Sequence, residues 1–392
     1  MLNITKHIPN TIKKFNDIIV SKGKGSWVWD INNNKYLDFT GGIGALSTGH
    51  SHPRIVKTIQ NQSNKMILAQ QNVFLSHEPQ INLTKQLLDI MPDHLNNFFY
   101  VNSGSEATDN AIKIARQYTK KQNIITLNKG FHGRTLGAMS VTSSNVNYRK
   151  QCNPLLPGVF FCNYLNSNNL DEIFKYKSDY DDTAAIIVEP IQGEGGINYI
   201  NNKFLKHIET ICKENNIMFI VDEVQTGVGR TGKWWAHEYS DVKPDIMTFA
   251  KGIASGYPFA GVVANDEIMN GLTNSLLGGT YGGNPLGCSI AAETISIIKD
   301  ENLLDNANFQ GNKIKEDLSR LSYIKNVRQH GLMIGIDLYY NDDIKINLLI
   351  NRLKNKGILV LLAGSNSIRI LPPLNVTNKE VDIFLKTFSN LI

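Results

Sequence analysis

The sequence is poor in the features that mark several classes of protein. It has only four cysteines in 392 residues. Cys152, Cys162, Cys212 and Cys288 lie far apart, with no CxxC pair and no metal-like clustering with histidine. No disulfide framework or metal centre is therefore expected, and buried free thiols in a reducing compartment are the simplest role. No apolar run approaches the roughly 20 residues that span a bilayer, so no membrane partner is expected. Charge is not gathered in blocks. The formal net charge of +5 is spread along the chain, and no Lys/Arg cluster is interleaved with aromatics, which argues against nucleic acid as a partner. The opening MLNITKHIPNTIKKF has lysines and no acids, faintly like a transit peptide. It lacks the arginines and serines of one, and a cytoplasmic location is expected before a mitochondrial one.

What is present is an ordinary globular balance, with 42% hydrophobic and 19% charged residues. The length suits one large domain plus a smaller one. There are no repeats, low-complexity tracts or long Pro/Gly/Ser linkers. The middle of the chain alternates short apolar runs with amphipathic stretches, as βαβ units around a parallel sheet do. The pattern predicts strands at Asn97–Val101, Ile124–Leu127, Ala184–Val188, Ile217–Val221 and Ile246–Ala250. Helices are predicted at Ser105–Lys120 and Asn202–Asn215. Ala107, Ala111, Ile114, Ala115 and Tyr118 give the first helix one apolar face. The flanks differ: Trp27–Phe39 reads as a hairpin, and a long helical stretch after Asn284 leads to a strand at Met333–Leu338 and a final helix. The expected division is a large domain over 46–284 and a small domain built from 1–45 and 285–392.

The central strands end on chemistry. FFYV runs into Asn102-Ser103-Gly104-Ser105, AAIIV into Glu189, MFIV into Asp222-Glu223, and MTFA into Lys251. Ligands of parallel α/β sheets gather at the carboxyl ends of the strands. One ionisable group there is ordinary surface charge, whereas three beside a small-residue turn are harder to dismiss. Ser103 and Glu106 have capping-box spacing, and a helix start this rich in small residues can hold a phosphate. Asp222 follows a strongly apolar strand, where an ionised carboxylate is costly unless paired. A protonated pyridine nitrogen is a suitable partner, because holding that proton makes the ring an electron sink. Lys251 can supply an amine for an imine link where burial and neighbouring cations lower its pKa. Phe131, after another strand, can lie flat on a cofactor ring or pack in the core.

Two look-alikes fall away. Gly227-Val228-Gly229-Arg230-Thr231-Gly232-Lys233 has the spacing of a nucleotide phosphate loop, but Trp234 stands where a Ser/Thr is required and no helix pattern follows. Gly41-Gly42-Ile43-Gly44 is too short for a dinucleotide fingerprint.

The segments GSWVWD, YLDFTGGIGALSTGHSHP, FFYVNSGSEATDNAIKIAR, GFHGRTLGAMS, AAIIVEPIQGEGG, FIVDEVQTGVGRTGKWWAHE, PDIMTFAKGI, GGTYGGNPLG and IRILPPL together resemble the class-III (ω-amino acid) aminotransferases. The likeness covers nearly the whole chain and implies an α/β fold of PLP fold type I. That fold has a mostly parallel central sheet with helices on both faces, plus a smaller α+β domain from both chain ends. It also implies pyridoxal 5′-phosphate (PLP) as cofactor. By the same resemblance Lys251 matches the Schiff-base lysine and Asp222 the partner of the pyridinium. Gly104 and Ser105 match the phosphate cradle, Phe131 the ring-stacking residue and Gln225 a contact to the ring hydroxyl. Thr280 matches a phosphate ligand contributed across a subunit interface, which implies a homodimer. Arg369 matches the arginine for the α-carboxylate of glutamate or 2-oxoglutarate, with Glu189 as its switching partner. Arg134 matches the arginine for the carboxylate of the ω-amino substrate.

The implied reaction passes an amino group from a small amino donor to 2-oxoglutarate in two half-reactions. Ile43 stands where ornithine aminotransferases resemble one another in carrying tyrosine, which argues against ornithine. Gly279 stands where acetylornithine enzymes usually have serine. GGTYGGNPLG and GGIGALSTGH look more like 4-aminobutyrate enzymes, while HGLMIGIDL and IRILPPL resemble the acetylornithine branch. The expected donor is 4-aminobutyrate, with acetylornithine as the alternative. A lyase or aminomutase on the same cofactor is disfavoured by the intact Arg369 and Glu189, and a catalytically retired scaffold by Lys251, Asp222 and Thr280.

Overall fold

The computed structural model describes residues 7–9, 11–12, 17–166, 168–339, 343–364 and 366–392. Much of the opening segment weighed above as a transit peptide lies outside the described residues.

A seven-stranded sheet forms the centre. From one edge its order is Asn97–Val101, Ala260–Ala264, Ile246–Phe249, Met218–Asp222, Thr183–Val188, Asn123–Leu127 and Val159–Cys162. Ala260–Ala264 pairs antiparallel with both neighbours, and every other pairing is parallel. Six strands therefore point their carboxyl ends the same way, as the mostly parallel sheet expected from the sequence requires. Thr183–Val188 and Met218–Asp222 are buried along their whole length. Helices cover both faces of a sheet like this, which is why these strands read as continuous apolar runs. The sequence pattern missed Val159–Cys162 and Ala260–Ala264, which end on neither a carboxylate nor an amine.

Helix Gly104–Thr119 buries Ala107, Ala111, Ile114 and Ala115 against the sheet and stops at Lys120, which has left-handed backbone. Helix Asn202–Glu214 is capped by Asn201 and buries Leu205, Ile208 and Ile211 on the other face. The chain ends meet in two further sheets. The hairpin Trp27–Asp30/Lys35–Asp38 pairs in parallel with Ile358–Leu359. Ile324–His330, Met333–Leu338, Ser367–Ile370 and Leu361–Ala363 form an antiparallel sheet in that order. Helix Pro285–Asp300 starts on Asn284, whose Oδ1 accepts from Gly287 N at 2.7 Å, with proline in the first turn. It packs against Pro53–Ser63, Glu78–Leu88 and the turn Lys251–Ala254, and so backs the lysine turn from below.

Candidate active site

The strand ends converge on a cavity of about 300 Å³, whose walls include Ser103, Gly104, Phe131, Asp222 and Lys251. The first wall is the start of helix Gly104–Thr119. Ser103 Oγ accepts from Glu106 N at 3.2 Å. Glu106 does not close the reciprocal half of the predicted capping box. Its Oε2 accepts from the backbone N and Nδ2 of Asn102, one residue earlier, at 2.9 and 3.1 Å. Two glycines let other loops press close to this turn. A Cβ on Gly104 would lie 2.7 Å from Val224 Cγ1, and one on Gly133, whose φ is +137°, would collide with Ser105 Oγ. The result is a nearly bare helix N-terminus open to the cavity, suited to an anion.

Asp222 is 3% exposed at its strand end. Its Oδ2 accepts from His132 Nδ1 at 2.7 Å, and its Oδ1 from Val224 N at 3.0 Å and Thr248 Oγ1 at 3.2 Å. Burial pulls the His132 pKa down, but the Asp222 contact outweighs it and leaves the ring raised above its ordinary value. A carboxylate held in this way is oriented and shielded from water.

Lys251 opens the turn Lys251–Ala254 with a φ of 45°. That conformation is unfavourable for a non-glycine residue and is held by its surroundings. Its side chain faces the cavity within a protein shell. Burial pushes its pKa down and Arg369 adds to this, against opposition from Glu194, Glu189 and Asp222. An amine shifted in this direction is more readily nucleophilic near neutral pH.

The expected pairing of Glu189 with Arg369 is not what the structure shows. Arg369, fully buried on strand Ser367–Ile370, donates from Nη2 to Glu194 Oε1 at 2.7 Å and from Nη1 to Gln225 Oε1 at 3.2 Å. Glu189 follows its strand directly and is taken up by backbone. Its Oε2 accepts from Phe131 N at 2.9 Å and its Oε1 from Gly193 N at 3.2 Å. Burial pushes Glu189 up to about 7. Glu194 lies on the turn beyond, whose own carbonyl accepts from Gly364 N at 2.9 Å, so the turn is tied to the sheet that carries Arg369. Burial pushes Glu194 up, but Arg369 foremost, with Lys251 and Arg134, holds it below its usual value. Gln225, expected at a ring hydroxyl, spends its side-chain oxygen on Arg369.

The remaining expected residues divide by position. Phe131 lines the cavity. Arg134 is exposed, its guanidinium 4.4 Å from the Tyr148 ring centroid. Ile43 has left-handed backbone (φ 60°) and packs on a cluster that includes Ile191, Leu361 and Leu371. It does not line the cavity, although Ala45 does. Thr280 is exposed on a loop away from the cavity walls. Sequence reasoning missed His132 and Glu194. Their available signals were position alone, beside Phe131 and within the glycine-rich turn after Glu189.

The bare helix start, the enclosed carboxylate of Asp222 and the cavity-lining amine of Lys251 fit a cofactor with a phosphate, a protonated ring nitrogen and a carbonyl. Together they define a PLP-dependent enzyme of α/β fold. The chain belongs to the class-III aminotransferase family, whose profile matches residues 9–392, and is an aminotransferase. It is 37% identical over 398 residues to 4-aminobutyrate aminotransferase GabT of Escherichia coli K12, covering 95% of this chain and 93% of that one. It is 36% identical over 385 residues to an acetylornithine aminotransferase of Methanocaldococcus jannaschii, with 95% and 93% covered. Among solved structures it is similar to the ornithine aminotransferase of Toxoplasma gondii, with a TM-score of 0.91 at 31% identity. That match covers 100% of this chain and 93% of the other.

Proposed function

We propose that the protein transfers the terminal amino group of an ω-amino acid, 4-aminobutyrate first, to 2-oxoglutarate, giving a semialdehyde and glutamate. The observation that carries this reading is the ion pair of buried Arg369 with Glu194, within electrostatic reach of Lys251. A donor without an α-carboxylate meets Arg369 already neutralised. For 2-oxoglutarate, Glu194 swings away and Arg369 takes the α-carboxylate as a fork. Arg134 binds the distal carboxylate of either substrate.

When bound, the cofactor supplies a carbonyl that receives the amino group and a ring that withdraws electrons. Gly104 and Ser105 would hold its phosphate at the helix start, Asp222 would favour a proton on its ring nitrogen, and Phe131 would line its ring. Lys251 anchors it and moves the proton from the donor carbon. Acetylornithine is the second reading, favoured by relatives of that name at similar identity. Gly279 weighs against it.

The active unit is proposed to be a homodimer, with the partner subunit's Thr280 completing the phosphate site. Ile67, Val73, Phe74, Leu75 and Tyr281 are exposed apolar side chains on the Thr280 loop and on the segment around Gln70, whose Nε2 donates to Gly279 O at 3.2 Å. Large apolar side chains left exposed on neighbouring loops suit a surface that a second subunit covers.

The test is transfer of ¹⁵N from labelled 4-aminobutyrate or acetylornithine to 2-oxoglutarate. In parallel, borohydride reduction should fix the cofactor covalently to wild type and not to Lys251→Ala. Absence of labelled glutamate from either donor sinks the substrate reading, and a fixed cofactor on Lys251→Ala sinks the role of Lys251.

A further inference from the structure

Arg134 is exposed, yet its side chain is not free to wander. Its backbone N donates to Ser105 Oγ at 3.2 Å, which ties it to the helix start. Its guanidinium carbon stands 4.4 Å from the ring centroid of Tyr148 and 5.9 Å from that of Phe131. Those two rings meet edge to face, with centroids 5.5 Å apart and planes at 71°. Among the described residues Arg134 makes no ion pair with a carboxylate. A planar cation lying on an aromatic face keeps its in-plane N–H groups pointing outward, where they can fork a carboxylate.

Tyr148 is itself braced. It ends the short turn Val146–Tyr148, where Asn145 Oδ1 accepts from Asn147 N at 2.9 Å. The root of its loop is fixed by Ser143 N and Ser144 N, which donate to Gly130 O at 2.8 and 3.0 Å. On the far side, the Arg149 guanidinium stacks on Phe161 at 4.6 Å, fastening the loop to strand Val159–Cys162. Phe131, Arg134 and Tyr148 thus form one unit, anchored to the sheet at two points.

We infer that Tyr148 is a positioning residue for donor selection. By holding the Arg134 guanidinium over its ring, it sets where the distal carboxylate of the donor is received and favours donors that carry one. The inference rests on the reading of Arg134 as the distal-carboxylate arginine. Tyr148 acts through Arg134 and leaves the reacting carbon alone, so its effect belongs in binding and not in turnover.

The experiment compares the cofactor-loaded wild type with Tyr148→Leu, Tyr148→Phe and Arg134→Gln in single-turnover reactions. The donors are 4-aminobutyrate and n-butylamine, the same chain without a carboxylate. Tyr148→Leu should raise the half-saturating concentration of 4-aminobutyrate about 5- to 20-fold, the scale of a partly desolvated cation–π contact. The maximal rate should stay within about twofold, and n-butylamine should react as with wild type, which also reports that the variant is folded. Tyr148→Phe keeps the ring face and should restore wild-type behaviour. Equal damage to both donors by Tyr148→Leu, or a Phe variant as impaired as the Leu variant, overturns the inference. If Arg134→Gln abolishes the preference for 4-aminobutyrate while Tyr148→Leu leaves it intact, Tyr148 alone loses its role. An unchanged preference in Arg134→Gln overturns the reading of Arg134 and this inference with it.

Discussion

Arg369 and Glu194 form an ion pair of 2.7 Å in which the guanidinium side chain is fully buried and the carboxylate side chain retains 19% of its surface. The asymmetry decides which partner can move. Arg369 is locked in a strand, while Glu194 sits on a turn within electrostatic reach of Lys251. Glu194→Gln keeps a hydrogen-bond acceptor but removes the charge that masks Arg369. Donors lacking an α-carboxylate should then lose roughly 10-fold or more in kcat/KM, because they leave a buried cation unpaired. Glutamate should be affected little. Arg369→Lys should do the reverse and cost the 2-oxoglutarate half-reaction roughly 30-fold or more, since lysine offers no planar fork. Half-reactions measured separately on both variants check the pair. Equal damage to both halves would make Arg369 a structural anchor.

Asp222 is held by three donors, one of them the His132 ring. Asp222→Asn preserves the shape and loses the charge that would keep a ring nitrogen protonated. The loss should fall on kcat, on the order of 100-fold, the scale for removing a preorganised electrostatic partner. Cofactor affinity measured by equilibrium dialysis should change much less. An unchanged kcat with weakened cofactor binding would make Asp222 a binding residue only.

The contrast between these two sites shows what the sequence could carry. Asp222 and Lys251 were legible because each follows an apolar strand, where an ionisable side chain is costly without a task. The parallel sheet was legible for the same reason, since strands covered on both faces appear as uninterrupted apolar runs. The partner of Arg369 was not legible. Glu189 and Glu194 are five residues apart in one segment, and only the turn between them decides which carboxylate faces the arginine and which is captured by the backbone of Phe131 and Gly193. His132 was hidden similarly, because its contact with Asp222 joins a loop to a strand end 90 residues away. Tyr148 lies in a loop without periodicity, where no spacing pattern announces a role.

Glu189 gives a dependence of stability on pH. Burial raises it from an ordinary value of 4.5 to about 7. Its folded pKa lies above its unfolded one, so the folded protein holds the proton more tightly. The buried charge therefore costs nothing below about pH 4.5, and the cost grows until it is complete above about pH 7. Glu189→Gln carries no such charge, although it loses one backbone hydrogen bond at every pH. The Tm of cofactor-free wild type minus that of the variant should thus fall steadily between pH 5 and 8. A constant difference across that range would mean that Glu189 is ionised throughout.

Gly104 offers a test of the phosphate cradle that leaves every ionisable group in place. Its glycine is dictated by close approach, since a Cβ would lie 2.7 Å from Val224 Cγ1. Val224 follows Asp222 by two residues, and its backbone N donates to that carboxylate at 3.0 Å. Gly104→Ala must therefore push apart the helix start and the Asp222 loop, the two walls proposed to hold opposite ends of the cofactor. Overpacking of this kind typically costs about 1–3 kcal/mol. Where the strain is relieved by widening the site, it should appear as cofactor affinity weakened roughly 5- to 100-fold. Ser105→Ala, at the neighbouring position, adds no bulk. It removes only the Oγ that accepts from Arg134 N, so it should weaken the cofactor less. Equilibrium dialysis of both variants, with Tm of the cofactor-free chains as a control, separates the cases. An alanine at 104 that lowers Tm without touching affinity would place the strain in the fold and remove the helix start from the cofactor site.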